Sequence, residues 1–169
     1  LRQLWSGRPE TGGLGSDLWV EGAFPSTSAL GKMDDLVTRG FVSEGLSGQL
    51  EKTGVFPRSL TPYSHQWESI EAAAAQNSAE GERPGIVVTA GTGAGKTESF
   101  LIPLLNDLWD KPGRAGEGIS ALILYPMNAL VNDQVGRLDL WLEGQDRVSF
   151  FHFTSKTPEN AKVADDRNL

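Results

Sequence analysis

The sequence of 169 residues contains no cysteine, which excludes disulfides and cysteine-ligated zinc within the chain. No apolar run approaches the ~20 residues that a membrane-spanning helix needs, so we expect no membrane partner. The first residues, Leu1 to Trp5, lack the apolar segment of a secretory signal peptide. These absences together predict an intracellular protein.

Positive charge is also scarce. The chain carries 15 Lys and Arg against 22 Asp and Glu, for a net charge of −7 and a pI near 4.8. Neither half is basic, since residues 1–84 carry 7 positive and 11 negative side chains and residues 85–169 carry 8 and 11. Electrostatic nucleic-acid binding needs clustered Lys and Arg. Any such site here must be local, or must be completed by sequence outside this chain.

The region that begins at residue 85 alternates between strand and helix patterns. Strands are predicted at 86–90, 120–125 and 148–153, and amphipathic helices at 95–109 and 128–142. Alternating units of this kind specify a parallel sheet with helical crossovers. The pattern therefore predicts an α/β fold.

The N-terminal region has a different pattern. Residues 1–25 are rich in Gly, Ser and Pro and predict an irregular arm. Two short helices are predicted at 28–39 and 43–53, with Ser43 as an N-cap and glycines at positions 40 and 54 as C-terminal caps.

A longer helix is predicted from about 63 to 76. In the helix predicted at 95–109, Pro103 removes a backbone hydrogen bond. We therefore expect a kink or an interruption near residues 99–103.

A glycine-rich loop at residues 90–97 reads Ala-Gly-Thr-Gly-Ala-Gly-Lys-Thr and lies between a predicted strand and a predicted helix. Backbone N–H groups in such a loop converge on phosphate oxygens at the positive end of the helix. Lys96 would reach the β- and γ-phosphates, and Thr97 would ligate Mg²⁺. A dinucleotide fingerprint is excluded because Lys96 stands where a third glycine belongs. The loop predicts a nucleoside triphosphate site, with a merely flexible loop as the alternative.

A second segment carries Tyr63 and Gln66, the latter 30 residues before Lys96. A glutamine amide can pair with the N6/N7 edge of adenine, and a tyrosine ring can stack on the base. The alternative is a capped surface helix with Tyr63 and Trp67 packed inward. His65, between them, is predicted to be structural.

A third segment, residues 125–134, runs from the end of a predicted strand into a predicted helix. On physical grounds alone, it could be an ordinary strand-to-helix turn with Asn128 as the cap. Leu130 and Val131 are predicted to be core residues.

The three segments, in this order, resemble the Q motif, motif I and motif Ia of superfamily 2 helicases of the DEAD/DEAH type. In motif Ia these helicases hold the sugar-phosphate backbone. The residues after the loop, Thr97-Glu98-Ser99-Phe100-Leu101-Ile102-Pro103, are similar to a Gly-Lys-Thr-Glu-x-Phe-Leu-x-Pro stretch. That stretch is typical of large prokaryotic helicases that end in a zinc-binding domain. They include DNA-repair helicases and helicases of phage-defence systems such as DISARM and Druantia.

The resemblance implies that residues 55–169 form the first part of a RecA-like ATP-binding domain, after an N-terminal extension over 1–54. It implies ATP and Mg²⁺ as cofactors, and nucleic acid, DNA rather than RNA, as a partner. Further implied partners are a second RecA-like lobe and proteins of a defence or repair complex, in a prokaryotic cytoplasm. Lys96 and Thr97 are the catalytic candidates, and Thr97 is the magnesium ligand. The candidate nucleotide-binding residues are Tyr63, Gln66, Ala90, Gly91, Thr92, Gly93, Ala94, Gly95, Lys96, Thr97 and Glu98, and the candidate nucleic-acid-binding residues are Pro126, Met127, Asn128 and Asn132.

A carboxylate for hydrolysis is not evident in the sequence. ATP hydrolysis in this class needs a second magnesium-anchoring carboxylate at a strand end. The candidate pair, Asp165-Asp166, follows residues 160–164, which are too polar for a buried strand. We therefore predict the ATP-binding segment of a helicase or translocase that does not hydrolyse ATP on its own. The alternatives are an ATP-binding structural or regulatory scaffold and another P-loop NTPase, although the Asn-Lys-x-Asp guanine reader of GTPases is absent.

Overall fold

The computed structural model describes residues 25–78, 85–91, 93–109, 118–154 and 157. Three predictions lie outside these residues: the irregular arm up to residue 24, the role of Thr92, and the Asp165-Asp166 pair. Within the described residues the helices are α1 (Met33–Thr38), α2 (Glu44–Lys52), α3 (Ser64–Ser78), α4 (Lys96–Trp109) and α5 (Asn128–Trp141). The predicted helices are thus confirmed, with α1 shorter than its pattern indicated.

The caps of α1 and α2 follow the local signals of the sequence. Ser43 is the N-cap of α2, and its Oγ accepts a hydrogen bond of 3.3 Å from the N–H of Leu46. Gly40 and Gly54 lie just after the two helices with φ of 73° and 69°, a conformation that glycine adopts without strain. The predicted caps are therefore confirmed.

Helix α4 continues through Pro103 without interruption. Proline lacks the N–H that would bond the carbonyl of Ser99 one turn earlier. The hydroxyl of Ser69 on α3 lies 2.8 Å from that carbonyl and also 2.8 Å from the carbonyl of Gln66, so the two carbonyls share its single hydrogen. The helix is therefore not interrupted, and the neighbouring helix offers a donor in place of the missing N–H; the expected kink stays a prediction.

This replacement bond gives a testable stability prediction. Ser69→Ala should lower the free energy of unfolding by about 1–3 kcal/mol, because it leaves the buried carbonyl of Ser99 unsatisfied. Pro103→Ala restores a backbone N–H to the same carbonyl. In the Pro103→Ala background, Ser69→Ala should therefore lower the free energy of unfolding by less, as measured by urea denaturation. Equal costs in the two backgrounds would contradict this explanation.

The helices enclose one hydrophobic cluster, in which α3 packs most extensively on α4 and α2 also contacts α4. Side chains from residues 33–56 lie in the same cluster as those of α3, α4 and α5. The buried members are Met33, Leu36, Val37, Val42, Leu46, Leu50, Phe56, Ile70, Leu101, Ile102, Leu105, Trp109, Trp141 and Leu142. The core therefore holds the two N-terminal helices against the helices that carry the predicted motifs.

Two polar side chains fix the C-terminal ends of α4 and α5. The buried Gln49 amide donates to the carbonyls of Trp141 (3.1 Å) and Glu143 (3.0 Å), at the end of α5. Carbonyls at a helix C-terminus lack intrahelical partners, so this amide satisfies them. Asn106 of α4 accepts from the N–H of Ser43 at 2.8 Å. The N-terminal helices therefore help to set the positions of α4 and α5.

The predicted parallel sheet is not confirmed. The structure assigns no strand to residues 86–90, 120–125 or 148–153, and in the described part of the chain β-pairing is limited to an isolated antiparallel bridge between Ser28 and Tyr63. Strand pairing depends on neighbouring strands rather than on local signals. The sheet remains a prediction.

One segment predicted as a strand, residues 120–125, shows a two-sided pattern. Ile123 packs against the helical core, whereas Leu122 and Leu124 are 72% and 81% exposed. An inner and an outer face of this kind fit a half-buried strand. Residues 149–153, by contrast, are all exposed. Separately, none of the described helices has the length and apolar character to cross a membrane.

Candidate nucleotide-binding site

The glycine-rich loop leads directly into α4. Gly93 and Gly95 have φ of 74° and 70°, in the left-handed region that favours glycine. Between them, Ala94 is buried, and α4 begins at Lys96. The loop thus presents its backbone at a helix N-terminus, where a phosphate group is electrostatically favoured.

Lys96 folds back over the loop. Its Nζ donates to the carbonyls of Ala90 (2.9 Å) and Gly91 (2.7 Å), while the side chain stays exposed. An ammonium group binds charged phosphate oxygens more strongly than neutral carbonyls. Lys96 is therefore placed to exchange these carbonyls for phosphate oxygens. Thr97 follows it in the first turn of α4 and is half-buried.

Gln66 on α3 joins the second predicted motif to the loop. It is 4% exposed, its Oε1 accepts from the N–H of Tyr63 at 2.9 Å, and its Nε2 donates to the carbonyl of Gly95 at 3.0 Å. A primary amide has two donor hydrogens and two acceptor lone pairs, so one of each remains. The remaining N–H donor and oxygen lone pair are the groups that pairing with the N6/N7 edge of adenine requires.

An aromatic pair precedes Gln66. The rings of Tyr63 and His65 stack with centroids 5.7 Å apart and planes 13° from parallel. Of the two residues that the alternative packs inward, Trp67 does pack against the core, whereas Tyr63 is 38% exposed and keeps accessible surface. Nε2 of His65 is buried and has no hydrogen-bond partner among the described residues.

Glu98 points from α4 to α5. Its Oε1 forms a short ion pair with Arg137, and the Glu98 side chain is 15% exposed. Its second oxygen, Oε2, is buried without a partner in the described structure. The resemblance places Glu98 among the candidate nucleotide-binding residues, whereas no local sequence pattern indicates its contact with Arg137, which lies 39 residues away.

The predicted nucleic-acid residues lie at the start of α5. Pro126, Met127 and Asn132 are exposed, Met127 at 59%. Met127, rather than Asn128, occupies the N-cap position, so the Asn128 cap of the alternative interpretation is wrong. The Asn128 side chain lies outside the described part of the structure. Leu130, expected in the core, is 42% exposed and adds to this surface.

Arg137 also affects the pKa of Tyr125, the residue before Pro126. Burial raises the pKa of the Tyr125 phenol above its ordinary value; the positive charge of Arg137 lowers this pKa, and Asp133 raises it. Asn132, Asp133 and Arg137 line one side of an open groove of about 550 Å³ beside α5. Arg137 is thus electrostatically linked to both Tyr125 and Glu98.

The described residues contain no group of three or more His, Asp or Glu side chains that could hold a metal ion. The oxygen ligand that the loop offers is instead the hydroxyl of Thr97, in the first turn of α4. Mg²⁺ prefers a few protein oxygens together with phosphate and water. The residues at the loop therefore fit magnesium bound together with a nucleotide.

Residues 63–167 match the DEAD/DEAH box helicase family. Because the match covers more than half of the chain, the chain belongs to this family of superfamily 2 helicases. The family has a RecA-like α/β fold and uses ATP with Mg²⁺.

Two relatives match parts of the chain. Druantia protein DruE of Escherichia coli (strain UMEA 4076-1) is 42% identical over 82 residues, which cover 46% of this chain and 4% of that protein. ATP-dependent rRNA helicase SPB4 of Encephalitozoon cuniculi (strain GB-M1) is 34% identical over 61 residues, 34% of this chain and 13% of that protein. The chain thus matches a small share of each relative's length. No solved structure matches it.

Proposed function

We propose that this chain is the ATP-binding segment of an ATP-dependent helicase or translocase that acts on DNA rather than RNA. The observation that carries the proposal is the Gln66–Gly95 hydrogen bond, because it brings the adenine-reading candidate to the loop that carries Lys96. The similarity to Druantia protein DruE supports a role in phage defence, with DNA repair as the other role. A second RecA-like lobe and proteins of a defence or repair complex are the proposed partners.

Each residue of the site has a distinct role in this proposal. Tyr63 stacks on the adenine, and Gln66 pairs with its edge through the remaining donor and acceptor. Backbone N–H groups of the loop bind the phosphates, and Lys96 offsets the negative charge that develops at the γ-phosphate. Thr97 would hold Mg²⁺, which, when bound, neutralises charge on the phosphate oxygens.

The proposed nucleic-acid-binding surface lies at the start of α5. Helix N-termini and short polar side chains hold phosphate oxygens without reading sequence. Exposed Pro126, Met127 and Asn132 lie there, and Asn128 is the first residue of the helix. Such a surface does not need clustered positive charge, which agrees with the net charge of −7.

Base selectivity tests the adenine role of Gln66. Inosine triphosphate lacks the N6 amine of ATP, so the wild type should bind ATP more tightly, by a factor on the order of 10 or more. Gln66→Ala also breaks the link to Gly95 and should weaken binding of both nucleotides. The informative quantity is therefore the ratio of the two dissociation constants, measured by nucleotide titration of the complete protein.

In Gln66→Ala, the preference for ATP over inosine triphosphate should fall close to one. An unchanged ratio in this variant would contradict the role of Gln66 in reading adenine. A wild-type preference for GTP would favour another class of P-loop NTPase.

A further inference from the structure

We propose that the Glu98–Arg137 ion pair couples the nucleotide loop to the nucleic-acid end of α5. This inference rests on the proposed function, because it needs a nucleotide at the loop and a nucleic acid at α5. Glu98 lies in the first turn of α4, two residues after Lys96, and Arg137 lies on α5. The pair is thus a direct side-chain contact between the two helices that carry the two proposed sites.

The Glu98–Arg137 pair is more buried than the other ion pairs that the described residues form. The side chains of Glu98 and Arg137 are 15% and 32% exposed, whereas those of Arg39 and Glu71 are 50% and 33% exposed. A partly buried pair is less screened by salt, and removal of one partner leaves the other charge poorly solvated. The contact therefore constrains both helices more strongly than a surface pair would.

The two carboxylate oxygens of Glu98 face different parts of the site. Oε1 binds Arg137, while the unpartnered Oε2 lies 3.0 Å from the position that a Cβ on Gly95 would occupy. The amide of Gln66 borders that same position, at 2.4 Å. The Glu98 carboxylate thus contacts Arg137 on α5 through one oxygen and lies beside the turn at Gly95 with the other. A shift of this turn when a nucleotide binds would move Glu98, and Arg137 would transmit the movement.

A movement of Arg137 would be transmitted along helix α5 to the N-terminus of that helix. Arg137 lies on the same helix as Asn132, and both line the groove beside α5. Tyr125, whose pKa is lowered by the charge of Arg137 and raised more by burial, directly precedes Pro126 in the predicted nucleic-acid segment. A rotation or displacement of α5 would therefore change the positions of the groups proposed to hold the phosphate backbone.

Thermodynamic linkage provides the test. The dissociation constant of a non-hydrolysable ATP analogue is measured for the complete protein with and without a saturating single-stranded DNA oligonucleotide. The ratio of the two constants is the coupling factor, which is typically about 5- to 150-fold for linked sites. Arg137→Gln should reduce this factor at least about 5-fold, while affinity without DNA stays within about two-fold.

Three further variants test whether the coupling factor depends on the Glu98–Arg137 pair itself. Glu98→Gln, an isosteric change that should preserve folding, should reduce the coupling factor similarly, and the double variant should be no worse than either single variant. Arg137→Lys keeps the charge and should retain part of the coupling. Arg39→Gln breaks an ion pair remote from the loop and should leave the coupling factor unchanged.

The possible failures are distinguishable. A wild-type protein whose nucleotide affinity does not respond to DNA would overturn both the proposed function and this inference. A wild-type response that persists in Arg137→Gln and Glu98→Gln would overturn the inference alone. Additive losses in the double variant would also overturn it, because they would mean that the two residues act independently.

Discussion

Replacement of Lys96 by alanine is expected to abolish ATP hydrolysis by the complete protein. Its Nζ lies over the loop, 2.9 and 2.7 Å from the carbonyls of Ala90 and Gly91, and in the proposed mechanism it exchanges these carbonyls for phosphate oxygens. Loss of one preorganised donor in an active site costs on the order of 10²–10³ in kcat. A full positive charge at a transferring phosphoryl group should contribute at least as much.

Phosphate release at saturating ATP and magnesium measures this loss. Lys52→Ala is the matched control, because Lys52 is an exposed lysine at the end of α2 and should be dispensable for turnover. Both variants should show the same thermal unfolding transition as the wild type, since Lys96 is exposed. Turnover by Lys96→Ala at a rate close to that of the wild type would be incompatible with the proposed mechanism.

Gly95→Ala is expected to weaken nucleotide binding strongly, by a factor on the order of 10 or more. The substitution forces a left-handed φ of 70° on a residue with a Cβ, which costs about 1–2 kcal/mol. The new Cβ would also lie 2.4 Å from Nε2 of Gln66. Since Gln66 is buried and hydrogen-bonded at both ends of its amide, it cannot move without losing its contact with the loop or with Tyr63.

Gly93→Ala provides the matched control for this effect. Gly93 has nearly the same φ, 74°, but a Cβ there would meet no described heavy atom within 4 Å. The two variants share the backbone strain, whereas Gly95→Ala alone places a Cβ 2.4 Å from Nε2 of Gln66 and 3.0 Å from Oε2 of Glu98. We therefore expect a much larger loss of ATP affinity in Gly95→Ala, measured by titration with a fluorescent nucleotide. Equal losses in both variants would show that the Gln66 contact does not matter.

Local signals in the sequence predicted the helices of the described region and the caps of α1 and α2. Ser43, Gly40 and Gly54 act through their own backbone conformation or through neighbours a few residues away, so a sequence pattern can reveal them. The glycine loop is similar, because its sequence is recognisable locally and glycine permits the positive φ that Gly93 and Gly95 adopt. These features required no knowledge of the tertiary structure.

Contacts between distant residues could not be predicted in this way. The bond from Ser69 to Ser99 explains why Pro103 does not interrupt α4, and it joins residues 30 positions apart. The Gln66–Gly95 and Glu98–Arg137 contacts span 29 and 39 positions. The predicted sheet depends on pairing of the same non-local kind, and the described residues do not show it.

A structure of the complete protein with a non-hydrolysable ATP analogue and magnesium is the decisive measurement. We predict that the adenine lies against Tyr63 with its edge at Gln66, and that Nζ of Lys96 moves from the carbonyls of Ala90 and Gly91 to about 2.7–2.9 Å from phosphate oxygens. A nucleotide bound elsewhere, or bound at the loop with Lys96 still on those carbonyls, would contradict the ATP site proposed for residues 63–97.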